Sequence, residues 1–186
     1  MIEFHRIENT DNPYFTHLYD LYTGVFPKYE RRSWAGLDME LNKEKQFCAN
    51  ALIENHEFIG LFNYWVFEKF YYIEHLALAP KFRGKRKGTI ALEIFKELAS
   101  IPIVLEVEMP NNSEAIRRIK FYEKSEYKVI SHYYAQPPYE GDGFLIPMII
   151  MSNDIHFTNT HFEQIKDTLY KKVYRFIEPN DRGLDD

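Results

Sequence analysis

Cysteine is nearly absent from this 186-residue chain, where Cys48 stands alone. A single thiol forms no internal bridge, which excludes a disulfide-stapled scaffold and suits a reducing compartment. Long apolar runs are missing as well. No stretch approaches the ~20 residues of a spanning helix, and the opening Met1-Ile2-Glu3-Phe4-His5-Arg6 lacks the basic-then-apolar order of a secretory leader. The expectation is a cytoplasmic protein without a membrane partner. Positive charge is also short: 23 Lys and Arg against 28 Asp and Glu give a net charge of −5. Binding to a phosphodiester backbone needs clustered cations, so no nucleic-acid partner is expected. The 7 histidines show no paired ligand spacing of the His-Glu-x-x-His kind, and no metal is expected.

What the chain does have is aromatic bulk, with 15 Phe, 14 Tyr and 2 Trp. At roughly 150–250 Å² buried per ring, these can build a core without staples. Residues 2–8 alternate as a strand, and Phe15, Leu18, Leu21, Tyr22 and Val25 follow at helical spacing. A second helix is expected near 30–42. Period two then takes over in 47–54 and 58–67, read as an antiparallel hairpin, and in 71–79, which Pro80 stops. Ala91, Ile94, Phe95 and Leu98 give the next helix one buried stripe. Residues 103–109 form a short apolar strand, and Asn111-Asn112-Ser113 supplies capping side chains for a helix over 113–124. Two strands are expected at 127–134 and 144–151, around a Pro- and Gly-containing loop. A C-terminal helix would place Phe162, Ile165, Leu169, Val173 and Phe176 on one side, expected to serve acceptor selection or subunit contact. The reading is one domain over 1–178 with a frayed tail at 179–186.

Charge is unevenly distributed. Lys81, Arg83, Lys85, Arg86 and Lys87 place five positive charges within seven residues, leaving the rest of the chain at −10 against a total of −5. The order is strand, then Pro80-Lys81-Phe82-Arg83-Gly84-Lys85-Arg86-Lys87-Gly88-Thr89, then helix. That order aims free backbone N–H groups and a positive helix end at a phosphate. A charged surface turn with two glycines is the plainer reading of the same residues. Neither the Walker order nor Gly-x-Gly-x-x-Gly is present.

This loop resembles the acetyl-coenzyme A loop of the GNAT N-acetyltransferase family, Arg/Gln-x-x-Gly-x-Gly/Ala, aligned as Arg83-Gly84-Lys85-Arg86-Lys87-Gly88. Arg86 stands where the family usually has its middle glycine. Leu76-Ala77-Leu78-Ala79-Pro80 is similar to the strand that precedes the loop. Asn112 to Tyr127 resembles the family's helix ending in Phe-Tyr-Glu-Lys-x-Gly-Phe, here Phe121-Tyr122-Glu123-Lys124-Ser125-Glu126-Tyr127, with Glu126-Tyr127 in place of Gly-Phe. The likeness covers about residues 47–135. It implies an α/β (α+β) fold with a mixed central sheet of about six to seven strands flanked by helices, and the extra C-terminal helix.

The resemblance further implies acetyl-CoA as co-substrate, held by Leu76, Ala77 and Leu78, with its pyrophosphate on Arg83, Gly84, Lys85, Arg86, Lys87, Gly88 and Thr89, and with Asn112 contributing. It places the thiol near Tyr122, the candidate general acid, which equally reads as an aromatic packed with Ala115 and Ile119. For a base, period two would put Glu74 on the face of Leu76 and Leu78. Glu106 and Glu108 are alternatives, since burial in a strand raises a carboxylate pKa, and water is another. Tyr64, Trp65, Tyr71 and Tyr72 could wall an acceptor pocket. Cys48 reads as an inert core thiol. The expected activity is acetyl transfer to a primary amine, a small molecule or a peptide, cationic to suit the acidic body, by a protein for which a homodimer is allowed. The alternative is an inactive module that binds coenzyme A or another acyl-thioester.

Overall fold

The computed structural model describes residues 1–140 and 143–176. The strands are β1 (Ile2–Ile7), β2 (Phe47–Glu54), β3 (Glu57–Val66), β4 (Tyr71–Leu78), β5 (Ile103–Glu108), β6 (Lys128–Val129), β7 (Tyr134–Gln136) and β8 (Ile146–Ser152). The helices are α1 (Phe15–Val25), α2 (Trp34–Lys43), α3 (Lys87–Leu98), α4 (Ser113–Glu123), α5 (Ile155–Thr160) and α6 (Phe162–Thr168). They build one mixed sheet in the order β1-β2-β3-β4-β5-β8, with β6 and β7 sharing the far edge of β8. All neighbours are antiparallel except β4 and β5. The expected mixed sheet flanked by helices is therefore present.

One core lies between the sheet and α1, α2 and the C-terminal helices, including Phe15, Tyr22, Leu37, Trp65 and Leu169. The other lies under α3 and α4, including Leu52, Phe62, Leu92, Phe95 and Tyr122. The β2–β3 hairpin closes through Asn55 and His56, both with positive φ, as a tight primed turn requires.

Two features near β4 position the site. Asn63 pairs with His75 but the next residue, Tyr64, pairs with Ile73, so Glu74 is an extra residue on β4, a β-bulge. The parallel pairing of β4 with β5 runs only over Tyr71–Ile73 and Ile103–Leu105. Beyond it no ladder hydrogen bonds hold the strands together, and a cleft opens.

Two expectations need correction. The single strand over 127–134 is split, because Lys128 pairs with Ser152 whereas Tyr134 pairs with Met148, and residues between them bulge from the β8 edge. The C-terminal segment is not one regular helix. A break at His161 separates α5 from α6, and a π turn over Leu169–Val173 follows. That turn buries Tyr170 and Tyr174 beside Leu169 and Val173, and Tyr170 donates to the Ala135 carbonyl at 2.6 Å. The segment is core. The tail expected at 179–186 lies outside the described residues.

Gly60 shows how closely β3 and β4 approach. A Cβ there would collide with the Ala77 carbonyl oxygen and sit 2.9 Å from Leu78 Cδ2. Gly60→Ala should therefore destabilise by about 1–3 kcal/mol, read as a lower midpoint in urea. An unchanged midpoint would mean that β4 yields without cost.

Candidate active site

The basic loop lies beside the open end of β4. Pro80–Phe82 makes one 3-10 turn, Gly84 and Arg86 take positive φ of 74° and 60°, and α3 begins at Lys87. Arg86 thus adopts the backbone conformation that glycine supplies at this point. Its left-handed geometry costs roughly 1–2 kcal/mol for an L residue. The same holds at Glu126, with φ 70°, after α4. Gly88 is needed for another reason: a Cβ there would meet the Phe121 ring at 3.2 Å, so glycine lets α3 and α4 pack.

Leu76, Ala77, Leu78, Arg83, Gly84, Arg86, Lys87, Gly88 and Thr89 line a cleft of about 640 Å³ together with α4. Lys85 is outside that lining, its ammonium 6.0 Å from the Phe82 ring. Lys87 is paired with Glu54 at 2.6 Å, and Lys81 with Glu57. The opposite wall carries Arg117 and Arg118, which the motif reading did not single out, because on a helix they look like an ordinary charged face. Asn112 is outside the residues that line the cleft. Its Oδ1 accepts from Glu114 N–H at 2.9 Å and Ala115 N–H at 2.8 Å, so its observed work is to cap α4.

A smaller cavity of about 80 Å³ lies beside the cleft, and Val25, Leu76 and Arg118 belong to both walls. Glu30, Glu74, Glu106 and Glu108 make it acidic. Tyr122 borders it, nearly buried at 7% exposure. Burial pushes the Tyr122 phenol up to about 12, with Arg118 pulling down and Glu108 pushing up. It therefore stays a protonated donor at neutral pH, and it also packs in the core with Tyr127.

Glu74 corrects the period-two argument. The bulge inverts the alternation, so Glu74 joins Arg32 and Trp65, whereas Leu76 and Leu78 pack on the α3 side. Its carboxylate accepts from Arg32 Nη1 and, at 3.0 Å, from Trp65 Nε1. Burial works against its charge, but Arg32, His75 and these hydrogen bonds prevail and hold its pKa below the ordinary carboxylate range. A carboxylate so satisfied is a weak proton acceptor.

Glu106 is the opposite case. Burial raises its pKa to about 7, against hydrogen bonds from Tyr134, Tyr174 and Tyr72. Tyr174 O–H donates to Oε2 at 2.8 Å and Tyr134 O–H to Oε1. Burial, and after it the Glu106 charge, keeps these phenols far above their usual range. Of the aromatics proposed as a pocket wall, Tyr72 borders this cavity, while Trp65 is core and Tyr64 and Tyr71 pack on Phe95. Arg32, absent from the motif reading, is buried at 3% exposure, with its guanidinium 4.7 Å from the Tyr139 ring centroid. Nothing in the run Arg31-Arg32-Ser33 distinguishes it from a surface cation. Among the described residues no cluster of His, Cys, Asp and Glu is arranged to hold a metal.

The acetyltransferase (GNAT) family model matches residues 5–127. No curated protein matches the chain. A GNAT-family protein from Bacteroides thetaiotaomicron superposes with a TM-score of 0.87 at 32% identity, covering 92% of this chain and 98% of that one. An aminoglycoside 6'-N-acetyltransferase complexed with coenzyme A (TM-score 0.56, 19% identity, 82% of this chain and 95% of that one) shares the fold. So does a GNAT family acetyltransferase from Elizabethkingia anophelis with acetyl-CoA bound (TM-score 0.56, 20% identity, 81% and 96%). A family match over most of the length, with the glycine-type loop beside a splayed parallel strand pair, leads to one conclusion: the chain belongs to the GNAT acetyltransferase family.

Proposed function

We propose that the protein transfers an acetyl group from acetyl-CoA directly to a primary amine, without a covalent enzyme intermediate. The observation that carries this reading is the adjacency of two unlike spaces. An open, cation-lined cleft at a helix N-terminus shares the wall residues Val25, Leu76 and Arg118 with a small acidic cavity. One suits a phosphorylated cofactor and the other an amine.

Acetyl-CoA supplies an activated acyl group. The N–H groups from Gly84 to Thr89 would hold its pyrophosphate, the Arg83 N–H being taken by the Pro80 carbonyl, and Arg83, Arg86, Arg117 and Arg118 would add charge. Transfer forms a C–N bond and breaks a C–S bond, so the amine must lose protons and the departing thiolate gains one. Glu106, poised near neutrality, is the candidate acceptor of the amine proton, and the Tyr122 O–H is the candidate donor to sulfur. An inactive coenzyme A-binding module is the alternative that Arg86 and Glu126-Tyr127 favour, Arg86 and Glu126 standing in glycine positions. Both keep a glycine-type positive φ, which weakens that alternative. The acidic cavity suits a cationic acceptor, and we place the reaction in the cytoplasm, where the buried Cys48 stays reduced.

Acetyl-CoA at about 100 times its Kd should stabilise the protein by ~2.7 kcal/mol. Gly88→Asp is a poor test, because its side chain would strike Phe121. Thr89→Asp adds a charge in the first turn of α3, where an acidic residue favours the helix itself. It should leave the apo melting temperature intact and abolish most of the acetyl-CoA shift. A full shift in Thr89→Asp would remove the loop from the cofactor site.

Glu106→Gln separates catalysis from stability. Between about pH 4.5 and about pH 7, folded Glu106 holds a proton that the unfolded chain has released, so this group makes stability fall as pH rises through that window. The Gln variant lacks that loss. Its stability advantage over the parent should grow by about 3 kcal/mol from the acid to the alkaline side, while its turnover falls by about 10²–10⁴. Urea unfolding at the two pH values and a thiol-release assay read both effects. Parental turnover in Glu106→Gln would hand the proton to water.

Tyr122→Phe should keep the acetyl-CoA thermal shift and lose turnover by about 10², the low end for a general acid, because a thiol already leaves well. The loss belongs in kcat rather than in cofactor affinity. An unaltered kcat would reduce Tyr122 to packing.

A further inference from the structure

Buried polar atoms without partners are uncommon and call for a reason. Among the described residues, His75 Nδ1, Glu108 Oε2 and Gln136 Nε2 are buried with no hydrogen-bond partner, and all three residues line the same cavity of about 80 Å³. His75 and Gln136 are each only 4% exposed. They come from three strands, β4, β5 and β7, so no local turn explains their convergence.

Their chemistry defines what is missing. His75 Nε2–H donates to the Glu30 carbonyl at 2.9 Å, which leaves Nδ1 with its lone pair. Nδ1 lies 3.9 Å from Glu74 Oε2, beyond hydrogen-bond range. Glu108 Oε1 is taken by Arg118, leaving Oε2 as a second acceptor. Gln136 Nε2 is a donor. The cavity therefore offers two acceptors to N–H groups and one donor to an oxygen. In transfer to an amine, the acyl carbonyl is the oxygen brought beside the nitrogen.

Size narrows the class further. About 80 Å³ is the share of two or three waters at about 30 Å³ each, enough for an acyl head and an aminomethyl group. Tyr72, Tyr122, Tyr139 and Met148 close the walls. We propose that His75 and Glu108 recognise the acceptor amine while Gln136 holds the acyl carbonyl beside it, and that this set restricts the acceptor to primary amines on an unbranched carbon, –CH2–NH2. A lysine side chain or a linear diamine qualifies, and the α-amine of a peptide that begins with any residue but glycine, on a branched carbon, does not. This rests on the acetyltransferase reading above and adds the substrate class.

The test uses the full-length protein, acetyl-CoA and a thiol-release assay with three acceptors. These are 1,5-diaminopentane, a peptide with one lysine and a blocked N-terminus, and a lysine-free peptide with a free N-terminal alanine. The expected result is a kcat/KM about 10–200-fold higher for the first two than for the third, the discrimination a small pocket gives against an added carbon. Comparable use of the free N-terminus would overturn the inference while leaving acetyl transfer standing. No thiol release from any acceptor, with the acetyl-CoA thermal shift intact, would overturn both. Gln136→Met, similar in length, should cut kcat/KM for 1,5-diaminopentane about tenfold, the loss of one hydrogen bond, without changing the thermal shift given by coenzyme A, which carries no acyl group. Glu108→Gln, which preserves shape, gives the same reading if Gln136→Met melts early. Parental kcat/KM in both variants would exclude these atoms from recognition.

Discussion

A buried ion network organises the centre of this protein. Arg32 Nε meets Glu40 Oε1 at 3.2 Å, its Nη1 meets Glu74, and its Nη2 donates to the Val173 carbonyl at 2.9 Å. Arg175 closes the group by donating Nη2 to Glu40 Oε2 at 3.0 Å. Two guanidinium groups thus face two carboxylates whose side chains have no exposure. Such a group contributes little net stability compared with an apolar core of the same volume, but losing one member leaves a charge stranded, at about 3–5 kcal/mol. It therefore acts as a constraint. The segment before α2, the bulge of β4 and the C-terminal turn must arrive together, and this is why the last helical stretch belongs to the core.

The bulge at Glu74 links that network to the site. Without the extra residue, regular alternation would point Glu74 toward the α3 side, as period two suggests, and Arg32 would lack its partner. With it, Glu74 serves the network and His75 turns toward Tyr22, Phe26 and Tyr139. Past the bulge β4 no longer pairs with β5, and the open wedge holds both the cleft and the acidic cavity. Glu74 and Glu106 border the same small space yet have opposite proton affinities. One is neutralised by a cation, the other is buried against phenols with the Glu74 charge nearby, and that difference in surroundings separates their pKa values.

Much of this was legible in the residues. Period two and period 3.6 marked the hairpin, α3 and α4, because those patterns record which side of an element is dry. The loop from Pro80 to Thr89 was legible because its glycines and cations are local in sequence. What escaped reading depends on contacts across the fold. Arg32 is set apart from Arg31 only by Glu40 and Glu74, and the bulge depends on how β3 meets β4. Gly88 read as a phosphate-loop glycine, while the structure shows a glycine that also spares Phe121. Asn112 read both as a capping side chain and, by resemblance, as a cofactor contact, and its oxygen caps α4. The C-terminal stripe was visible, but its π turn, which brings Tyr174 to Glu106, leaves no periodic trace.

The two places where glycine has been replaced show what this fold retains. Arg86 and Glu126 stand in segments that otherwise follow the family pattern, and both hold φ near +60° to +70°. An L residue there is strained by roughly 1–2 kcal/mol, so something must hold the conformation. At Arg86 the hold is the start of α3, whose first residues must present their N–H groups to the cleft while Gly88 packs on Phe121. At Glu126 it is the ion pair with Lys96 of α3, together with the Tyr127 N–H donating to the Tyr122 carbonyl at 3.1 Å. Both anchors tie α3 to α4, the helices between which the cleft lies. The direction of the backbone N–H groups is thus fixed by helix packing, and the identity of the residue at the turn becomes secondary to it.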